Sequence, residues 1–472
     1  MTQPPDVRTV PPPPQSAPPG SPEQSSGLPP PENPPGRTTA WTEGVRRLRT
    51  AATTEPGRLR IIGAALAALI VVFGAVTAWQ VSDRSDAAAS VVDHSQPLSA
   101  EAASIYRSLA TANTTASSGF LAGGDEPRSV RERYELNVRT ASELLASAAA
   151  NSRGSASAQR QIAKLNRELP RYTGLVESAR ANNRQGLPLG GAYLRYANER
   201  MHEELLPAAK ELYETETARL HQDYDDAKSW PWIALTLGVL TMAGLGWAQR
   251  RHYHRTNRVF NPGLLGATAA TLVALLWLTA GHAFARSGLG ESDEHGARSL
   301  HALNEAWIGS LQARGEENMW LVARGAGSEY DESYGKRMNA VAGSPKGEMG
   351  GQLAAALSRA DDAQGRDPVD DAYESVKDWR KRHNEARAME DSGRYDAAVD
   401  LVIQPKGSTG ESFDEVDESL KKASEHEQAE FERAADDGRG ALTWLAVGAA
   451  VLAVLGAAAA LLGIGRRLSE YR

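Results

Sequence analysis

The sequence predicts an all-α membrane protein: four transmembrane helices and two tandem extracytoplasmic helical bundles related by a duplication. Three observations predict it. Four apolar runs near the roughly 20-residue length that spans a bilayer contain no Asp, Glu, Lys or Arg. Two intervening segments of about 150 residues carry apolar positions at helical spacing, and each is long enough for one domain. The 472-residue chain is rich in alanine, only 6% aromatic and 24% charged, a composition that favours helices with solvated faces. It holds no cysteine, which excludes disulfides, thiolate metal sites and a Cys nucleophile.

The head, residues 1–60, carries 14 of the 25 prolines within its first 40 residues and reads as a disordered, polyproline-II-like cytoplasmic segment. Thr38, Thr39, Thr50, Thr53 and Thr54 lie near arginines there and are weak phosphate-acceptor candidates. The first span is 61–80; preceded by so long a head, it fits a signal anchor better than a cleaved signal peptide. The first outside segment, 81–229, reads as four helices. Ile105, Leu109, Ala112 and Ala116 mark the buried face of the first, and the turn GGDEP ends it. The second starts at Arg128 and stops at NSRGS. The third runs to about Asn183 with a kink expected at Pro170. The fourth starts near Ala192 and is expected to run unbroken through Lys228 into the second span, 230–249. A basic strap, 250–262, leads to the third span, 263–285. The second outside segment is 286–440, the fourth span 441–465 and the tail 466–472.

Direction follows from the basic residues. Arg46, Arg47, Arg49, Arg58 and Arg60 precede the first span, Arg250, Arg251, Arg255 and Arg258 fill the strap, and Arg466 and Arg467 follow the fourth span. The positive-inside rule places all three groups, and both termini, in the cytoplasm of a plasma-membrane protein. Residues 286–440 hold 20 basic and 33 acidic side chains and residues 81–229 hold 18 and 20, as outside segments should. Trp79, Trp230, Trp232 and Trp444 fall near one interface and Trp247 near the other.

The two halves repeat in order. IIGAALAALIVVF (61–73) is similar to LLGATAATLVALL (264–276), GFLAGGDEPRSVRERY to MWLVARGAGSEYDESY, and ETETARLHQDYDD (214–226) to EHEQAEFERAADD (425–437). SPKG near Pro345 and PKGSTG near Pro405 predict broken helices in the second copy. Small residues recur four apart in the spans, as in Gly266/Ala270/Ala274, Ala234/Gly238 and Gly448/Gly456/Ala460, a spacing that permits close helix packing.

A span, a four-helix bundle and a returning span resemble the sensing half of bacterial chemoreceptors, and two such units in one chain resemble a fused dimer. With its Pro-rich head and no cytoplasmic output domain, the whole plan resembles the GlnX-type membrane protein of actinobacteria. That resemblance covers residues from about 40 to 472 and rests on architecture, so it assigns no residue a role. It implies a link between an extracytoplasmic amino-acid-binding lipoprotein and a soluble Ser/Thr protein kinase.

Candidate docking residues sit at the turns farthest from the spans. Arg128, Arg131 and Arg133 follow one, and Trp320, Arg324 and Tyr330 surround another; arginine beside aromatics suits a carboxylate or a protein hot spot. The plainer reading pairs Arg131 and Arg133 with Glu132 and Glu135. In the strap, Arg250, Arg251, Arg255 and Arg258 suit lipid head groups or a cytosolic partner, while His252 and His254, two apart, point to different sides of a helix and make no metal site. No phosphate-cradling Gly loop, HExxH or nucleophile with its base is present. The sequence is therefore read as a receptor or adaptor that recruits partners at the bilayer, with no cofactor, nucleic acid or catalysis. A non-sensing scaffold of the cell envelope is the alternative, and a transporter is disfavoured because the spans lack buried charge.

Overall fold

A computed structural model describes residues 55–152, 155–256 and 261–468. By packing the chain divides into Met1–Arg58 and Leu59–Arg472, and the architecture below is that of the second unit. The Pro-rich head with its threonines, and Arg46, Arg47, Arg49 and Arg258, lie outside the described residues, as do the side chains of His252, Arg255 and Arg467.

Among the described residues every element is helical. Helix α1 (Glu55–Ser90) passes through a π-helical turn, Val91–Ser95, into α2 (Gln96–Leu121) without a break. A 3-10 turn holding Gly123 at φ 71° reverses the chain into α3 (Arg128–Asn151). Helix α4 (Ala156–Arg184) is capped by the Ser155 hydroxyl, which accepts from the Ala158 N–H, and it carries Pro170 inside a continuous helix. Helix α5 (Leu189–Arg200), a π turn Met201–Leu205 and α6 (Leu206–Lys228) complete the first bundle. Helix α7 (Trp232–Thr256) follows.

The second half repeats this order roughly 200 residues later. Helix α8 (Pro262–Glu291), a π turn Ser292–Ala297 and α9 (Arg298–Val322) form one continuous rod, and Gly325, φ 78°, turns the chain. Helices α10 (Ser328–Ala342), α11 (Gly351–Leu357), α12 (Ala363–Asp391) and α13 (Tyr395–Ile403) lead to the 60-residue α14 (Thr409–Leu468). The breaks expected near Pro345 and Pro405 fall between α10 and α11 and between α13 and α14.

One expectation is corrected. The fourth helix of the first bundle does not run straight into the next apolar segment: α6 ends at Lys228, Ser229 is extended at ψ 135°, and α7 starts at Trp232. The physical reason is Pro231, which lacks an N–H and pushes Trp230 out of the α region. Its counterpart α14 has no proline there and stays continuous.

Among the described residues four helices are long and apolar enough to cross a membrane. Their outer faces carry a belt of exposed large apolar side chains, including Val72, Val239, Leu276, Val454 and Leu462. That pattern suits a lipid solvent, not water. Between them, small residues set the spacing. A Cβ at Gly263 would lie 2.2 Å from the Gly463 Cα, one at Gly74 2.1 Å from the Ala453 Cβ, and one at Gly456 3.4 Å from the Ala270 Cβ. Asn261 caps α8 by accepting from the Gly263 N–H and donates to the Gly463 carbonyl.

Above the apolar segments one hydrophobic core runs through both bundles. Ile105, Leu109, Leu145, Leu165 and Tyr172 from the first join Leu311, Val376 and Trp379 from the second. Helices α2 and α9 lie side by side at its centre. The Thr114 hydroxyl donates to the Leu311 carbonyl at 2.9 Å, and the Asn318 amide donates to the Thr114 carbonyl and the Ser118 hydroxyl at 3.2 and 2.8 Å.

Candidate functional site

Polar groups concentrate at three levels along the paired bundles. At the level where the bundles meet the apolar helices, a collar of contacts surrounds the α6–α7 break. Ending α6 leaves carbonyls without helical partners. Arg84 of α1 donates to the Ser229 and Trp230 carbonyls at 2.6 and 3.1 Å, and Arg286 of α8 donates to the Lys228 carbonyl at 2.6 Å. The Gln80 side chain accepts from the Ala234 N–H, satisfying the start of α7. Neighbouring residues of α6 reach the π turns of both rods: Asp223 accepts from Ser95 at 2.7 Å and Tyr224 meets Ser292 at 2.6 Å. Lys228 and His221 bind the buried Asp293 at 2.6 and 3.3 Å. Burial opposes the Asp293 charge, but the hydrogen bonds from His221 and Lys228 outweigh it and hold the carboxyl down to about 2. Thus one helix of the first bundle touches the irregular turn of both rods, a place where π turns often mark function.

In the middle level a cavity of about 470 Å³ opens between the bundles. Ser99, Ala103 and Arg107 of α2, Tyr213 and Thr217 of α6, and His301, Asn304 and Trp307 of α9 line it. The Tyr213 hydroxyl pairs with His301 Nδ1 at 2.8 Å, and Ser99 pairs with Thr217 at 2.9 Å. Arg107 donates to Asn304 and Ser104, and its guanidinium lies 4.7 Å over the Trp307 ring. It forms no salt bridge among the described residues, and burial pulls its guanidinium down to about 10. A cation with no salt bridge among the described residues, facing a mixed cavity of this size, can accept the acidic group of a small molecule.

Toward the far end, the two bundles differ in kind at matching positions. In the first, Arg180 stacks 4.1 Å from the Tyr134 ring and pairs with Glu126 at 2.9 Å. In the second, His383 stacks 3.8 Å from Tyr334 and lies between two carboxylates: Nδ1 is 2.9 Å from Glu317 and Nε2 3.1 Å from Asp331. Glu317, fully buried, also takes Arg314 and the Trp379 indole N–H. Burial would raise Glu317, yet Arg314 and His383 hold it below the usual carboxylate range. Arg314 donates onward to Thr409 and the Val402 carbonyl, tying α9 to the start of α14.

The docking residues read from the sequence separate into three surroundings. Arg128 is exposed and pairs with Glu132 at 2.8 Å; Arg131 is 3.9 Å from both Glu126 and Glu135. Arg133 crosses to the other bundle, donating to Asp417 at 2.8 Å and Asp414 at 3.3 Å, beside a second cavity of about 290 Å³. Trp320 is 6% exposed, packed with Leu321, Ala386, Ala398 and Val402, and Tyr330 lies against the same cluster. Arg324 occupies a left-handed conformation, φ 45°, with its guanidinium 4.7 Å over Tyr395. Arg250 is exposed at the end of α7 and Arg251 lies 5.4 Å over Trp247. The cavity, the collar and the His383 network were not found from sequence. Each depends on residues about 50 to 200 positions apart, and in sequence an Arg314/Glu317 pair at i, i+3 looks like any solvated helix face.

Among the described residues one group of His and carboxylates is close enough to hold a metal ion: Asp362, His426 and Glu430.

No curated protein matches this chain, and no solved structure does. Residues 87–225, from the end of α1 to the last turn of α6, match a family described as actinobacterial sensor domain. The first bundle is thus similar to a sensor domain, which supports a sensing or signalling role for the chain.

Proposed function

We propose that the chain is a multi-pass receptor or adaptor of the plasma membrane that relays an extracytoplasmic signal to a cytosolic effector. Both termini and the basic strap face the cytoplasm, and the bundles lie outside, as the distribution of basic residues supports. The observation that carries the reading is the sensor-domain match on a bundle whose first helix continues into an apolar helix. The repeated order of π turn, long helix and left-handed glycine turn supports a duplicated sensor unit acting as a fused pair. An amino acid, presented by a solute-binding lipoprotein, is the signal that fits the GlnX-type resemblance; a soluble Ser/Thr protein kinase is the effector. The chain recruits these partners and catalyses nothing itself. Ligand favours one packing of the two bundles over another, and the rods carry the difference inward.

The test is a crosslinking pull-down from intact cells with amino acids supplied and then withdrawn. Recovery of a binding lipoprotein together with a kinase, in amounts that follow the amino acid, is expected. Recovery of envelope proteins alone, unchanged by amino acids, would leave a scaffold in place of a sensor.

A further inference from the structure

The turn between α11 and α12 meets α14 at a cluster that neither the sensor-domain match nor the cavity explains. His426 Nε2 lies 3.1 Å from Asp362 Oδ1 and 3.5 Å from Glu430 Oε1, and the three donor atoms are all within 4.8 Å of one another. A tetrahedral ion with bonds of about 2.0–2.1 Å holds its ligand atoms about 3.4 Å apart, close to the 3.1 and 3.5 Å that separate His426 from the two carboxylates. A second observation points to the same place. Glu427, next to His426, is 1% exposed, and its Oε2 has no hydrogen-bond partner. Its Oε1 lies 2.6 Å from where a Cβ on Gly365 would stand, and Asp362 Oδ1 lies 3.6 Å from that same point. A buried carboxyl group with one unpartnered oxygen therefore lies beside the turn that carries Asp362.

We propose that Asp362, His426 and Glu430 bind a divalent transition-metal ion of the zinc type. One imidazole nitrogen with carboxylate oxygens suits such an ion, whereas calcium takes six to eight oxygens at longer distances. His426 and Glu430 are one helical turn apart on α14, the helix that continues into an apolar segment, and Asp362 caps α12 through the Gly365 N–H at 2.8 Å. The metal staples the α11–α12 turn to that rod.

The test uses the full chain in lipid nanodiscs, purified without a histidine tag, stripped with chelator and titrated with Zn²⁺ against a chromogenic competitor. Wild type is expected to bind one equivalent that Asp362→Asn, His426→Gln and Glu430→Gln each weaken at least tenfold. Asn keeps the cap at 362, so that variant stays folded. His202→Gln, at a separate His–carboxylate pair, is expected to leave binding unchanged. Absence of saturable Zn²⁺ binding in the wild type overturns the proposal, and so does stoichiometric binding that survives His426→Gln.

Discussion

His383 can satisfy both neighbouring carboxylates only as an imidazolium, because an ionised carboxylate accepts hydrogen bonds and cannot donate one. Burial works against that charge, but the hydrogen bonds to Asp331 and Glu317 outweigh it and raise the imidazole above its usual range. The stability this gives is fully present below the unfolded-state value near 6.5 and is lost as pH rises through the raised folded value. His383→Gln is expected to destabilise the chain by about 3 kcal/mol at pH 6, the cost of breaking a buried ion pair from one side. The gap in melting midpoint between variant and wild type, followed by tryptophan fluorescence, should narrow from pH 6 to pH 9. A gap that stays constant over that range would mean a neutral His383. None of this was legible in the sequence. Trp320 and Tyr330 were visible as aromatics near a turn, but nothing local told that Ala386 and Val402 cover Trp320.

At the scale of elements, the helices of the first bundle were readable because their apolar spacing and turn glycines are local signals. The start at Arg128 and the turn at Gly123 fall where the sequence put them. The α6–α7 break had a signal too, the Trp230–Pro231 pair, overridden by the apolar run around it. Which apolar helices touch was not readable, since small residues spaced four apart fix a face and not its partner. In the structure α8 meets α14: a Cβ at Gly266 would lie 3.5 Å from the Ala459 Cβ, within disulfide range. Because the chain has no cysteine, Gly266→Cys with Ala459→Cys introduces the only thiols. Mild oxidation of this pair in membranes should crosslink nearly all of the protein, read as a mobility shift. Leu265→Cys, on an exposed position of α8, paired with Ala459→Cys should crosslink poorly. Equal yields from both pairs would reject this helix packing.

For the whole molecule, the asymmetry between the two halves matters more than their likeness. One returning helix is interrupted at Ser229–Pro231 and held there by Arg84 and Arg286 from two other helices; the other, α14, is a single rod from the His383 network to its end. A change in spacing between the bundles would therefore bend the first path at the collar and push the second as a unit. The cavity around Arg107 lies between those paths, and a ligand can shift their balance only by fitting one spacing better than the other. Filling it should fix the spacing. Ala100 lines the cavity, and an indole at that position would occupy part of its roughly 470 Å³. Ala100→Trp is expected to leave the melting midpoint within a few degrees of wild type, while recovery of the cytosolic effector proposed above becomes the same with and without amino acids. Recovery that still follows the amino acid, in a folded Ala100→Trp protein, would move the sensing step away from this cavity and toward a signal received wholly at the far surface of the bundles.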